Sequence, residues 1–218
     1  MSGSRGITLP NIITIARIVA CPVIFLLAIS PGMAARLWAF LLFVAAALSD
    51  VWDGWYARRY DLITDTGKLL DPIADKLLLV VTFVPFYLVS HSGREGDLIP
   101  WFFWFVEMPL WVIVVIFGRE LFITVFRGYA ARRGVVIPAG KSGKRKTLIQ
   151  MLFVGGLMLW YPLRMYAESR SWRGGFWTFW TQLHGAWVGV TLTLAIVLTI
   201  YSMVDYLWSY RAVVGIRS

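Results

Sequence analysis

Long apolar runs separated by short polar turns dominate this chain. They extend from Ile12 to Ile29, Ala34 to Arg58, Lys68 to Ser90, Leu98 to Gly118 with a helical extension to about Arg132, Thr147 to Pro162, and Gly185 to Tyr206. A helix needs ~20 residues to cross the hydrocarbon of a bilayer, and backbone polar groups there must be satisfied within the segment. The pattern therefore predicts an all-α polytopic membrane protein with six transmembrane helices. Six spans use most of the 218 residues, so 1–218 reads as a single membrane domain, with 1–11 a juxtamembrane segment and 207–218 a tail. The first run is too long for a typical signal core and has no convincing small-residue cleavage site behind it, so it is expected to be retained.

Composition agrees. Apolar residues make up 59% and charged ones 15%, against the usual ~25% charged, which excludes a disordered chain. A net charge of +9 by itself suits nucleic acid, an anionic lipid surface or an anionic substrate; the hydropathy favours lipid, and nucleic acid is not expected as a partner. With the N-terminus in the cytoplasm, sixteen basic residues fall on the inner side and five on the outer, a strong positive-inside bias. Arg132, Arg133, Lys141 and Arg145 fit a patch against anionic headgroups. Trp101, Trp104, Trp172, Trp177 and Trp180 are expected as interfacial anchors, and His91 and His184 as bystanders in or beside outer loops. Cys21 has no intrachain partner, and no zinc ligand set is present.

Four carboxylates stand out against this background. Asp50 and Asp53 end one apolar helix, and Asp71 and Asp75 begin the next, where charge is expensive. At about 100° per residue, Asp50, Asp53, Gly54, Ala57 and Arg58 share one stripe, and Gly67, Asp71 and Asp75 form another. The intervening turn is short, so the two helices are expected as antiparallel neighbours that aim these stripes at each other. Converging carboxylates repel unless cations are present, and hard oxygen donors select Mg²⁺ or a similar ion. A pair of bridged divalent ions would make a clamp for phosphoryl transfer. Ordinary ion pairs with Arg58, Lys68 and Lys76, or a cation path through a transporter, remain open on spacing alone.

The full pattern, Asp50-x2-Asp53-Gly54-x2-Ala57-Arg58-x8-Gly67-x3-Asp71-x3-Asp75, resembles the signature of the CDP-alcohol phosphotransferases at every defined position. That resemblance implies six transmembrane helices, a homodimer, a cytoplasm-facing site with two Mg²⁺ or Mn²⁺ ions, and transfer of a substituted phosphoryl group from a CDP-linked donor to an alcohol, with release of CMP. It implies that Asp50, Asp53, Asp71 and Asp75 bind metal, that Asp75 is the general base, and that Asp53, Gly54, Ala57, Arg58 and Gly67 meet the CDP moiety. A prokaryotic cytoplasmic membrane is the expected location.

A second set of residues narrows the acceptor. Pro10-Asn11-x2-Thr14-x2-Arg17, Gly118-Arg119-Glu120 followed by Arg127, and Gly143-Lys144-x-Lys146-Thr147-x2-Gln150 resemble the branch of that family that uses CDP-diacylglycerol and glycerol 3-phosphate. Arg119 and Arg127 fall on one helical face, and Lys144 and Lys146 open the next helix, where free N–H groups also favour an anion. Arg119, Arg127, Lys144 and Lys146 are thus expected to take the acceptor phosphate, with Asn11, Thr14, Arg17, Glu120, Thr147 and Gln150 in support. Phosphatidylglycerol or inositol phosphate is the alternative acceptor. Gly140-Lys141-Ser142 does not make a P-loop, because Val135 stands where the leading glycine belongs. Gly185 and Gly189 permit close helix contact, Asp205 is expected to pair with Arg211, and Glu107 has no evident role.

Overall fold

The computed structural model describes residues 8–62, 64–93, 107–135 and 141–210, with the side chains of 65, 68 and 141–145 left outside that description. Six helices follow in order: α1 (Leu9–Ile29), α2 (Met33–Arg59), α3 (Asp65–Ser90), α4 (Leu110–Arg132), α5 (Lys141–Ser169) and α6 (Gly175–Ser209). No strand occurs among the described residues. All but α4 are long and apolar enough to cross a membrane. Large side chains such as Val51, Leu121, Phe176 and Trp208 point outward, an arrangement unfavourable in water and natural in lipid.

The fourth helix departs from expectation in two ways. It starts at Leu110 rather than Leu98, with Pro109 at its N-cap. Proline has no N–H to continue a helix arriving from upstream. Every eighteen-residue window of α4 also holds at least three of Arg119, Glu120, Arg127 and Arg132, so its charges, not a lack of apolar residues, set it apart. Residues 98–106, including Trp101 and Trp104, lie outside the described residues.

Two boundaries move outward. The fifth helix passes beyond the expected end at Pro162 to Ser169, with Arg164 and Glu168 forming an i,i+4 pair at 2.7 Å. The sixth begins at Gly175, ten residues before Gly185, which places His184 inside a helix. There its Nε2 lies 3.0 Å from the Gly156 carbonyl, and the residue is buried rather than in a loop.

Helix ends explain the short turns. After α2, Asp61 adopts φ 53 and the Leu62 N–H reaches back to the Ala57 carbonyl at 2.9 Å. Gly134 after α4 (φ 77) and Ser171 after α5 (φ 52) repeat this left-handed ending, with N–H bonds from Val135 to Ala130 and from Trp172 to Ala167. The α2 chain thus reverses within five residues, and Thr64 caps α3 by accepting the Gly67 N–H at 3.0 Å.

The chain forms two compact units. In the first, residues 1–98 and 157–174, α1 packs along both α2 and α3. Its buried stripe is Pro10, Asn11, Thr14, Arg17, Cys21 and Ile24, polar toward the N-terminus and apolar beyond. The aspartate stripes of α2 and α3 converge as expected, and α1, which packs extensively along both helices, reaches into that convergence. In the second, residues 99–156 and 175–218, α4 packs on α6. The first half of α5 meets α6 through Gln150 on Thr199 (3.3 Å) and through Trp187, which covers Gly156.

Candidate active site

Arg17, 2% exposed, is the centre of the first unit's polar stripe. Its Nη1 donates to Asp50 Oδ1, its Nη2 donates to Asp53 Oδ2 at 2.6 Å, and Asp75 Oδ1 lies 3.6 Å from Nη1. One turn earlier on α1, the Thr14 hydroxyl donates to Asp71 Oδ1 at 3.0 Å. The four aspartates of α2 and α3 are therefore brought together, by way of α1. Asp53 is buried, while Asp50 and Asp75 have side chains 44% and 53% exposed, so the cluster opens to the outside on one side.

Arg17 is a described counterion of the box, while the side chain of Lys68, one of the partners left open on spacing, lies outside the described residues. The sequence did contain the signal. An arginine inside the most apolar helix needs a buried anion, and Arg17 shares its stripe with Asn11 and Thr14.

One guanidinium brings a single positive charge to four carboxylates. Arg17 engages one oxygen of Asp50 and one of Asp53, leaving each a second oxygen as a donor. This donor set of carboxylate oxygens fits hard divalent cations. Among the described residues, however, no three acidic or imidazole side chains are already closed into a ligand shell.

The glycines of the motif have distinct surroundings. A methyl group at Gly54 would meet the Arg58 guanidinium at 3.3 Å, so Arg58 folds back along its own helix over Gly54. Ala57 supplies the carbonyl that closes the α2 turn. At Gly67 a methyl would lie 2.9 Å from Asn11 Oδ1 and 3.2 Å from Thr64 Oγ1. Thr64 in turn donates to Asn11 Oδ1 at 3.0 Å, which ties the starts of α1 and α3 together. Gly67→Ala is thus expected to destabilise the protein by about 1–2 kcal/mol, overpacking exceeding the helix-propensity gain. In an Asn11→Ala background the same change should be neutral or favourable. Equal losses in both backgrounds, measured by unfolding in detergent, would dismiss Asn11 as the obstacle.

The second unit holds the basic residues. Arg119 Nη1 donates to Glu120 Oε1 at 2.9 Å, and the almost fully buried Lys146 ammonium donates to the same oxygen. Arg119 Nε is buried without a hydrogen-bond partner. Arg127 Nε donates to the Tyr206 hydroxyl at 3.2 Å and its guanidinium lies 5.7 Å from that ring, a cation–π contact. Glu120 is thus the shared counterion of Arg119 and Lys146. No motif pointed to Tyr206, since a tyrosine late in an apolar helix reads as an interfacial anchor. Gln150 is buried on Thr199, and Thr147 is exposed. Lys144 and Arg145 have side chains outside the described residues, as does Arg211, the expected partner of Asp205.

The chain belongs to the CDP-alcohol phosphatidyltransferase family, whose sequence model matches residues 7–201. Among similar proteins, the probable phosphatidylglycerophosphate synthase of Mycobacterium tuberculosis is 37% identical over 98% of this chain and 87% of its own length. The CDP-diacylglycerol–glycerol-3-phosphate 3-phosphatidyltransferase of Rickettsia bellii is 40% identical over 69% of this chain and 75% of its own. A CMP-forming cardiolipin synthase of Streptomyces coelicolor is 31% identical over 77% and 69%.

Proposed function

We propose that the protein transfers the phosphatidyl group of CDP-diacylglycerol to glycerol 3-phosphate, giving phosphatidylglycerol phosphate and CMP. The observation that carries this reading is the gathering of Asp50, Asp53, Asp71 and Asp75, from two helices, around Arg17 and Thr14 of α1. The names of the Mycobacterium and Rickettsia relatives support the donor and acceptor.

In this reading the four aspartates hold two Mg²⁺ or Mn²⁺ ions, which when bound supply Lewis acidity and charge neutralisation at the diphosphate. Arg58 neutralises the diphosphate, bidentate geometry being the strength of a guanidinium. Gly54 and Ala57 leave space for the cytidine moiety beside Asp53, and Gly67 keeps the α3 start close to Asn11. Asp75 accepts the proton of the acceptor's primary hydroxyl, whose oxygen bonds to the lipid-side phosphorus as the bond to CMP breaks. Arg119, Arg127, Lys144 and Lys146 bind the acceptor phosphate.

The same proposal has all six helices spanning a bacterial cytoplasmic membrane, with the N-terminus and the aspartates on the cytoplasmic side, in a homodimer of single-domain subunits. The distribution of Lys and Arg supports that orientation, and the charges of α4 are those assigned to the acceptor.

The test is CMP release from purified protein offered CDP-diacylglycerol with a panel of alcohols. Glycerol 3-phosphate is expected to support release, chelation to stop it, and Mg²⁺ or Mn²⁺ to restore it. Release with phosphatidylglycerol instead would favour the second reading, to which the Streptomyces relative lends support. Metal-dependent flux across sealed vesicles without CMP would point to a transporter and overturn both.

A further inference from the structure

The aspartate box already contains a cation of its own. Arg17 reaches it from α1 with its side chain 1% exposed, contacting Asp50 and Asp53 of α2 and approaching Asp75 of α3. Burying a guanidinium is costly, and its ion pairs offset that cost only in part, because Nε is buried without a hydrogen-bond partner. Nη1 stands between Asp50 and Asp75, carboxylates of two different helices. An ion that joined α2 to α3 through those oxygens would need the same space, and a positive neighbour at that range would oppose it.

We propose that Arg17 is a resident counter-cation that keeps Asp50, Asp53 and Asp75 assembled before divalent ions arrive, and that its charge opposes the binding of those ions. This rests on the reading of the aspartates as a divalent-ion site. It makes Arg17 a positioning residue whose two effects have opposite signs. The guanidinium stabilises the metal-free fold, and it weakens metal binding because its positive charge lies beside the ion. Thr14 differs: its hydroxyl donates to Asp71 and carries no charge to compete with an ion.

The test uses the full chain in detergent with Mn²⁺ alone as the probe. Free Mn²⁺ is counted by electron paramagnetic resonance, and the unfolding midpoint is measured in chelator and in excess Mn²⁺. Arg17→Met is expected to bind Mn²⁺ about ten-fold more tightly, since it removes a like charge next to the ion. Its midpoint should fall in chelator, and the gap between the two midpoints should widen. Arg17→Lys, shorter and unable to bridge Asp50 and Asp53, should tighten binding by a smaller factor and serves if the methionine variant does not fold. Thr14→Val should not tighten Mn²⁺ binding.

Unchanged or weaker Mn²⁺ binding in Arg17→Met and Arg17→Lys, or midpoints that drop equally with and without Mn²⁺, would overturn the proposal and leave a purely structural arginine. Absence of Mn²⁺ binding in the unaltered protein would sink the divalent-ion reading itself, a result distinct from either.

Discussion

Asp71→Asn is expected to lower turnover by on the order of a thousand-fold, the scale seen when a preorganised electrostatic group is removed from a reacting centre. The fold should survive. Asp71 is exposed, and the hydrogen bond from Thr14 reaches its Oδ1, an oxygen that asparagine retains. What disappears is one negative charge and one hard donor oxygen, with almost no change in volume. The unfolding midpoint in chelator should stay within a degree or two, or rise slightly as carboxylate repulsion eases. Thr14→Val provides the converse, losing the hydrogen bond and keeping the charge, and should cost far less activity. CMP release measured alongside thermal unfolding separates these outcomes. Activity within ten-fold of the unaltered protein would remove Asp71 from the reacting centre.

That prediction was available from the spacing of the aspartates, but the way they are held was not. A run of apolar residues announces a helix because nothing else satisfies its backbone in lipid, so the helices were legible to within a few residues wherever the run was clean. The errors fall where composition was mixed. Pro162 suggested an end to α5, yet the Arg164–Glu168 pair carries the helix on to Ser169. The Trp-rich stretch before Gly185 carried no usable motif and is the opening of α6.

Periodicity tells which residues share a face and is silent on which helix that face meets. Asp50 and Asp53 on one helix, with Asp71 and Asp75 on the next, were expected to converge and do, but the pattern did not show the third helix between their charges. In the fold α1 packs on both, and the box is assembled through Arg17 and Thr14. Gly67 shows the same limit, since its tight neighbour Asn11 is distant in the sequence. The charge of Arg17 was the one local clue, because an isolated arginine in so apolar a helix requires an anion.

Lys146→Met should separate the stability and recognition roles of the second unit's cluster. The lysine is 2% exposed, and its ammonium shares Glu120 with Arg119. Removing one partner of a buried pair costs about 3–5 kcal/mol, and the loss here should fall near the lower end because Glu120 keeps Arg119. Adding Glu120→Gln leaves an amide oxygen that can still accept from Arg119 but takes away its counterion, so stability should not recover, although methionine fills the apolar part of the lysine's space. Acceptor use should not recover. If Lys146 binds the acceptor phosphate, KM for glycerol 3-phosphate stays raised by about ten-fold or more in the single and the double variant, the equivalent of one lost charge-assisted hydrogen bond. If the lysine only neutralises Glu120, the double variant regains a normal KM. Unfolding midpoints and acceptor kinetics on the same three proteins decide between these, and a normal KM in the double variant would withdraw Lys146 from the acceptor site.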